Sequence, residues 1–352
     1  MLIFASKMDK LHIFNPEHDI ALASNLSNFT APHAGRQLRA DLGFLPALWA
    51  EEGDYVWVED ADHASRAFRR VARGRKCPVE WVVKSQLSSL SVHEVSPWGW
   101  DAALRHQLLH NGVDESLLPS EKHIAEIRQL SHRQTSSSLL RQLKGDGLVG
   151  TSVLCQSLEA VEQQLALHPR LVLKAPWSSS GRGIRFIDGE LNEYHRGWLH
   201  NLLEKQGGVM VEPYYDKVKD FGMEFYADGK GSVRYEGLSL FHTVNGAYVG
   251  NILATEATKL QTISKYIPIS LLEDIKQRIV SLLHLGTYQG PFGIDMMIVR
   301  QNSQLFLHPC VEINLRRTMG HVALALSPQD NDFRKVMRID YEDNYKLRIR
   351  KL

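Results

Sequence analysis

The chain has 352 residues, 43% of them hydrophobic and 23% charged, a balance that excludes intrinsic disorder. Its 41 Lys and Arg residues against 40 Asp and Glu leave a net charge of +1, so electrostatics gives no reason to propose a nucleic acid or an anionic membrane as partner. At roughly 100–200 residues per domain, the length predicts two or three domains. Cys77, Cys155 and Cys310 show no metal-ligand spacing and leave one thiol over in any disulfide scheme, which points to a reducing cytoplasm. The first ten residues contain only the short apolar stretch Leu2-Ile3-Phe4-Ala5, too brief for a secretory signal. No apolar run approaches the roughly 20 residues needed to cross a bilayer. The expectation is a cytoplasmic protein with no membrane partner.

In chain order, residues 11–14 form a short apolar run that stops at Asn15-Pro16, the pattern of a strand and a break. Residues 34–42 have helical spacing. Residues 55–58 predict a second strand and 64–73 a basic helix, with a third strand at 79–83. Asp101 is placed to cap a helix over 102–110, and Ser120 one starting at Glu121. A further helix follows Ser131. Strands alternating with helices predict a largely parallel sheet here. The texture changes near residue 150. Strands are predicted at 171–174, 184–187, 209–212, 222–227, 233–241 and 248–252, with helices at 190–205 and 271–285. Residues 293–299 and 305–307 read as a hairpin leading into Val311-Glu312-Ile313-Asn314. Runs of strands broken by single helices predict antiparallel sheets of an α+β region. The basic residues 345–352 read as a solvated tail or a final helix.

Three features carry chemistry. Lys174 ends an apolar strand and is followed by Ser178, Ser179, Ser180, Gly181 and Gly183 before the next strand. Small residues let backbone amides turn inward, and those donors with an ammonium suit phosphate oxygens. The Gly-Lys-Ser/Thr ending and following helix of a Walker A loop are absent. A plain hairpin tip is as good an account of this loop alone. Glu312 and Asn314 lie two apart on one strand face, and Asp295 sits on the strand before. Two carboxylates and an amide oxygen form a hard-oxygen set for Mg²⁺. A polar face satisfied by Arg316 and Arg317 explains them equally well in isolation. The third feature, Glu212-Pro213-Tyr214-Tyr215, reads by itself as a strand end turned by proline.

Together and in this order, the three features resemble the ATP-grasp superfamily over roughly residues 120–325. The resemblance implies an α/β pre-ATP-grasp-like domain over 1–120. An α+β ATP-grasp fold follows over 121–330, with subdomains of about 121–211 and 212–330 and the nucleotide cleft between them. Residues 331–352 are left as a tail or helix. In that family Lys174 and the small-residue loop would hold ATP phosphates, and Glu212, Pro213, Tyr214 and Tyr215 would meet the adenine. Asp216, Asp220 or Glu224 would take the ribose, with Asp220 preferred. Asp295, Glu312 and Asn314 would hold Mg²⁺ or Mn²⁺, and Arg316 would face the transferred phosphoryl group. Arg133 stands where the family usually has a lysine, and its planar fork differs from an ammonium.

The family's first domain often helps to bind substrate. Asn15, Glu17, His18 and Arg36 are the candidates there, although Asn15-Pro16 with Asp19 capping a helix is the plainer reading of that segment. Trp98, Trp100 and His132 read as packing residues. The resemblance implies a ligase that uses ATP to activate a small-molecule carboxylate for attack by an amine, releasing ADP and phosphate. No nucleophilic side chain is expected. A small-molecule kinase on the same fold and a non-catalytic nucleotide-binding protein are the alternatives, and many relatives are homodimers. The substrate is not legible.

Overall fold

The computed structural model describes residues 9–72, 74–178, 183–244, 247–329 and 334–352. Among them, three sheets are built in succession. The first uses β1 (Lys10–Ile13), with α1 (His18–Ser24) and α2 (His33–Leu42) before β2 (Tyr55–Trp57). It continues through α3 (Ala61–Ala72), β3 (Glu80–Val82), β4 (Glu94–Pro97) and α4 (Ala102–His110). All its strands are parallel, in the order β3-β2-β1-β4, as the alternation of strands and helices predicts. The chain leaves β1 to one side for β2 and β3, then returns to the other side for β4. The sheet therefore reverses direction between β1 and β4, and their carboxyl ends, at Asn15 and at Gly99 to Asp101, frame a crevice. Asp101 caps α4 by accepting from the Leu104 amide at 2.8 Å.

Two helices, α5 (Glu121–Leu130) and α6 (Arg133–Gln142), lead into the second sheet. Ser120 caps α5 as expected, and His132 caps α6 through its Nδ1. The second sheet contains β5 (Val153–Cys155), α7 (Leu158–Leu167), β6 (Arg170–Lys174), β7 (Ile184–Asp188), α8 (Glu193–Gln206) and β8 (Val209–Pro213). Its order is β5-β8-β6-β7, with every pairing antiparallel. Helix α8 begins after the cap Asn192, three residues later than its spacing predicts, and ends at Gly207 in the left-handed region.

The third sheet is the largest. It is built from β9 (Asp216–Asp228), β10 (Val233–Val244), β11 (Ala247–Leu253), α9 (Glu256–Ile263), α10 (Ile269–Leu282), β12 (Gln289–Gln301) and β13 (Gln304–Asn314). Then come α11 (Met319–Leu326), β14 (Lys335–Tyr341) and β15 (Tyr345–Lys351). The order is β13-β12-β9-β10-β11-β14-β15, antiparallel throughout. The predicted hairpin is β12–β13, turned at Asn302 and Ser303, both with positive φ. Two positive-φ residues give the turn whose twist matches the flanking strands. One face packs Phe221, Phe225, Phe292 and Ile294 against α10, burying them completely. Among the described residues, no helix is long and apolar enough to cross a membrane.

Residues 345–351 form a strand, not a tail or helix. Tyr345, Leu347 and Ile349 turn toward the first sheet's helices, where they join a core that contains Leu42, Phe44, Phe68 and Met337. The basic residues between them face outward. The alternation has the period of a strand. Leu347→Ala should therefore cost about 2–5 kcal/mol in urea unfolding, the range for truncating a buried leucine. A loss below about 0.5 kcal/mol, as for an exposed position, would mean that the strand is not docked.

Candidate active site

Directly opposed residues on neighbouring strands share a sheet face. Across β9, β12 and β13, three successive rungs of one face carry Glu224–Gly293–Asn314, Gly222–Asp295–Glu312 and Asp220–Met297–His308. The register slips between the second and third rungs on β13, where Pro309 offers no amide to the ladder. The middle rung sets two carboxylates against each other. Asn314 Nδ2 donates to Asp295 Oδ2 at 3.2 Å. Burial and the Glu312 charge push the Asp295 carboxyl up to about 7. Negative charge on this rung is thus only partly offset by its neighbours. Two carboxylates and an amide oxygen under that condition fit a small, hard divalent cation. Among the described residues, no group of three His, Cys, Asp or Glu side chains is arranged to hold a metal ion, so the amide is needed to complete a set.

Two arginines from different parts of the chain bond to residues of these rungs. Arg133, buried at the start of α6, donates to Glu312 Oε1 at 2.6 Å, to Ser178 Oγ at 2.8 Å and to the Ala175 carbonyl at 2.5 Å. One guanidinium fork thus joins the carboxylate rung to the root of the Ser/Gly loop, a span that a lysine ammonium would not reproduce. Arg316 donates to Asn314 Oδ1 at 3.0 Å and, as a bidentate fork, to both oxygens of Asp19 at 2.8–3.0 Å. Burial opposes the Arg316 charge, but Asp19 more than offsets it and holds the guanidinium ionised. Asp19 belongs to α1, so this pair ties the first sheet to the third.

Lys174 closes the opposite wall. It ends β6 diagonally across from Glu212 on β8, and the two buried groups pair at 2.6 Å. Gly183 returns the loop to β6, its carbonyl accepting from Ala175 N at 2.8 Å. A Cβ there would lie 2.4 Å from Ser178 Oγ, so only glycine lets the two ends of the loop close. Ser179, Ser180 and Gly181 lie outside the described residues. Pro213 ends β8. Tyr214 stacks under Arg170 at 3.9 Å. Tyr215 meets His308 edge-on at 5.6 Å.

The remaining expected residues separate. Asp220 lies on the third rung and pairs with Lys217 at 2.6 Å, whereas Glu224 is buried one rung beyond the carboxylate pair. Asn15 and His18 are buried and bonded to Asp101, at 3.3 and 3.2 Å. Glu17 pairs with Arg39 at 2.9 Å. Arg36 is exposed and, among the described residues, donates only to the Ala31 carbonyl at 3.3 Å. Trp98 packs edge-on against Phe14 at 5.0 Å, and His132 against Trp177 at 4.6 Å, the packing roles expected of them. Trp100 is half-buried against two cores.

Three contributors escaped the sequence reading, Asp19, His308 and His321, and Glu224, there a ribose candidate, lies elsewhere. Asp19 was visible only as a helix-start acid, with nothing to pair it with Arg316, 297 positions away. His308 is fully buried with neither ring nitrogen bonded. Burial, reinforced by Lys174, pushes it down to about 4, so it is neutral. Glu224 and His321 form a layer under the rung. Thr318 Oγ donates to Glu224 Oε2 at 2.8 Å, and the Thr318 amide donates to His321 Nδ1 at 3.1 Å. That bond makes Nδ1 an acceptor, 3.1 Å from Glu224 Oε2. A protonated Glu224 satisfies the contact, and burial pushes its carboxyl up to about 8. Thr318 followed three residues later by His321 is a capping pattern that could have marked α11.

No protein-family model matches the sequence, and the curated proteins contain no match to it. Solved structures do match. N5-carboxyaminoimidazole synthetase from Staphylococcus aureus aligns over 98% of this chain and 93% of its own, with a TM-score of 0.52 and 11% identity. L-amino acid ligase from Bacillus licheniformis aligns over 95% and 80%, with a TM-score of 0.48 and 13% identity. A protein from Archaeoglobus fulgidus assigned to the ATP-grasp superfamily aligns over 98% and 99%, with a TM-score of 0.47 and 13% identity. At 11% identity the likeness to the synthetase is one of fold alone.

The Glu224 layer makes stability depend on pH. Its folded pKa of about 8 exceeds the unfolded value of 4.5. Its contribution is complete below the unfolded value and is lost as pH rises toward 8. Over that window the native state holds one proton more, a slope of about 1.4 kcal/mol per pH unit. Glu224→Gln should remove about one proton from the slope of unfolding free energy between pH 5 and 8. An unchanged slope would mean that Glu224 is ionised in the fold.

Proposed function

We propose that the protein is an Mg-ATP-dependent ligase that activates a small-molecule carboxylate as an acyl-phosphate for attack by an amine. The observation that carries this reading is the middle rung: Asp295 faces Glu312 with Asn314 beside them, and Arg133 and Arg316 donate to Glu312 and Asn314. Charge of this kind suits a polyphosphate, whose transfer asks the protein for positioning and neutralisation rather than covalent chemistry.

In this reading ATP lies along the three rungs. Asp220 takes the ribose, and Glu212 to Tyr215 line the base. Lys174 and Arg133 hold phosphate oxygens, with Ser178 and Gly183 shaping the loop above them. Asp295, Glu312 and Asn314 hold Mg²⁺, which when bound offsets charge on the phosphates. A substrate carboxylate oxygen attacks the γ-phosphorus, and the bond to the ADP oxygen breaks. The amine then attacks the acyl carbon, loses a proton and expels phosphate. Arg316, kept ionised by Asp19, steadies the phosphoryl group through both steps. The loop rooted at Ser178 and Gly183 keeps water from the acyl-phosphate.

Mg-ATP at about 100 times its dissociation constant should stabilise the wild type by about 2.7 kcal/mol, moving the thermal midpoint by a few degrees. Lys174→Ala should lose most of that shift. The readout is the shift itself, because removing Lys174 also strands the buried Glu212 carboxylate and lowers the starting midpoint. A full shift in the variant would take Lys174 out of the site. Glu312→Gln should raise the Mg²⁺ concentration needed for ADP release. An Mg²⁺ titration that overlays the wild type would count against the metal assignment.

A further inference from the structure

The crevice at the carboxyl ends of the first sheet has a volume of about 770 Å³. That lies within the roughly 300–1,000 Å³ of small-molecule sites. It sits where the strand order reverses, with Asn15 and Asp101 in its wall. Its polar groups are of two kinds. Glu17 gives Oε1 to Arg39 at 2.9 Å, but its Oε2 is buried without a hydrogen-bond partner. A carboxylate oxygen so placed wants a donor. Arg39 gives that oxygen no bond: its Nη1 donates to Glu17 Oε1 and to Gln107, and its guanidinium lies 4.6 Å over the Trp57 ring. Arg36 and Lys84 line the same crevice, and neither is in an ion pair among the described residues. The crevice thus holds a carboxylate oxygen without a donor, and two cations, Arg36 and Lys84, without an ion-pair partner among the described residues.

We infer that this crevice binds an amino acid, its ammonium on Glu17 Oε2 and its acid group on Arg36 and Lys84. The inference deepens the ligase reading and rests on it: the amino acid is one of the two molecules joined. Only His18 separates Glu17, in the crevice, from Asp19, which grips Arg316 beside the carboxylate rung. Asn15 and His18 act as positioning residues. Their bonds to Asp101 fix the start of α1. A Cβ at residue 99 would lie 2.6 Å from the His18 ring, so Gly99 is what lets that ring seat.

The test is isothermal titration of the full chain with each proteinogenic L-amino acid, its D enantiomer, and β-alanine. The best binder is then compared with its decarboxylated amine and its deaminated acid. Both truncated molecules should bind at least tenfold more weakly. Arg36→Gln should weaken the amino acid at least tenfold and leave the amine unchanged. Glu17→Gln should weaken the amino acid while leaving the deaminated acid unchanged. Because Glu17 also pairs with Arg39, the exposed Arg36 variant carries the test if Glu17→Gln does not fold. Mg-ATP binding is measured on the same samples. A protein that binds Mg-ATP and none of these probes overturns the inference and spares the ligase reading. So does a deaminated acid or inorganic phosphate that binds as tightly as the best amino acid. Amino acid binding with the expected losses but no Mg-ATP binding would uphold the crevice and sink the nucleotide reading.

Discussion

Two carboxylates on one rung of a buried sheet, Asp295 and Glu312, are the constraint to which the surrounding structure responds. Uncompensated, such a pair is costly away from water. The fold supplies partial compensation from elements distant in sequence. Arg133 arrives on α6, which is further fastened to β13 where Ile313 N donates to Ser136 Oγ at 2.9 Å. Arg316 arrives with Asp19 attached, bringing α1 and the first sheet. The same side chains that neutralise the rung therefore hold the three sheets in register. Even the backbone makes room. Gly293 lies beside Glu224, and a Cβ there would stand 2.6 Å from its Oε2.

Much of this was legible in the sequence, for local reasons. Alternation places Glu312 and Asn314 on one face, and the β12–β13 hairpin brings Asp295 opposite. Lys174 at the end of an apolar run, followed by small residues, marks a strand and a loop root whatever the loop binds. What escaped is what depends on long-range pairing or on charge in unexpected places. The first half of β9 carries Lys217, Lys219 and Asp220, which masked a strand that pairs with β12 through that stretch. Residues 345–351 alternate apolar and basic side chains, yet the density of charge suggested solvent rather than a sheet edge. Lysines and arginines on an edge strand are a common guard against pairing with other chains, so the charge was itself a strand signal.

The cleft walls differ in kind. On the second sheet, Lys174 and Glu212 neutralise each other within one ladder, a self-contained pair. On the third, charge is left over and is shared among three sheets. The neutral His308 lies on the third rung, near the first wall and on the same face as the second. Its unbonded ring nitrogens make it the least satisfied polar side chain of that row. The two walls meet at Arg133, whose fork reaches both the loop root and Glu312.

The docking of β15 against the N-terminal helices has a consequence for how the chain matures. The core that holds Phe14, Leu42 and Phe68 also needs Met337 and Leu347. The first sheet emerges from the ribosome before the other two, but its outer helices stay uncovered until β15 has been made. A nascent chain carries that apolar surface through the synthesis of both later sheets, which is when a chaperone would have most to hold. The arrival of β15, rather than completion of the first sheet, is the event that seals this core.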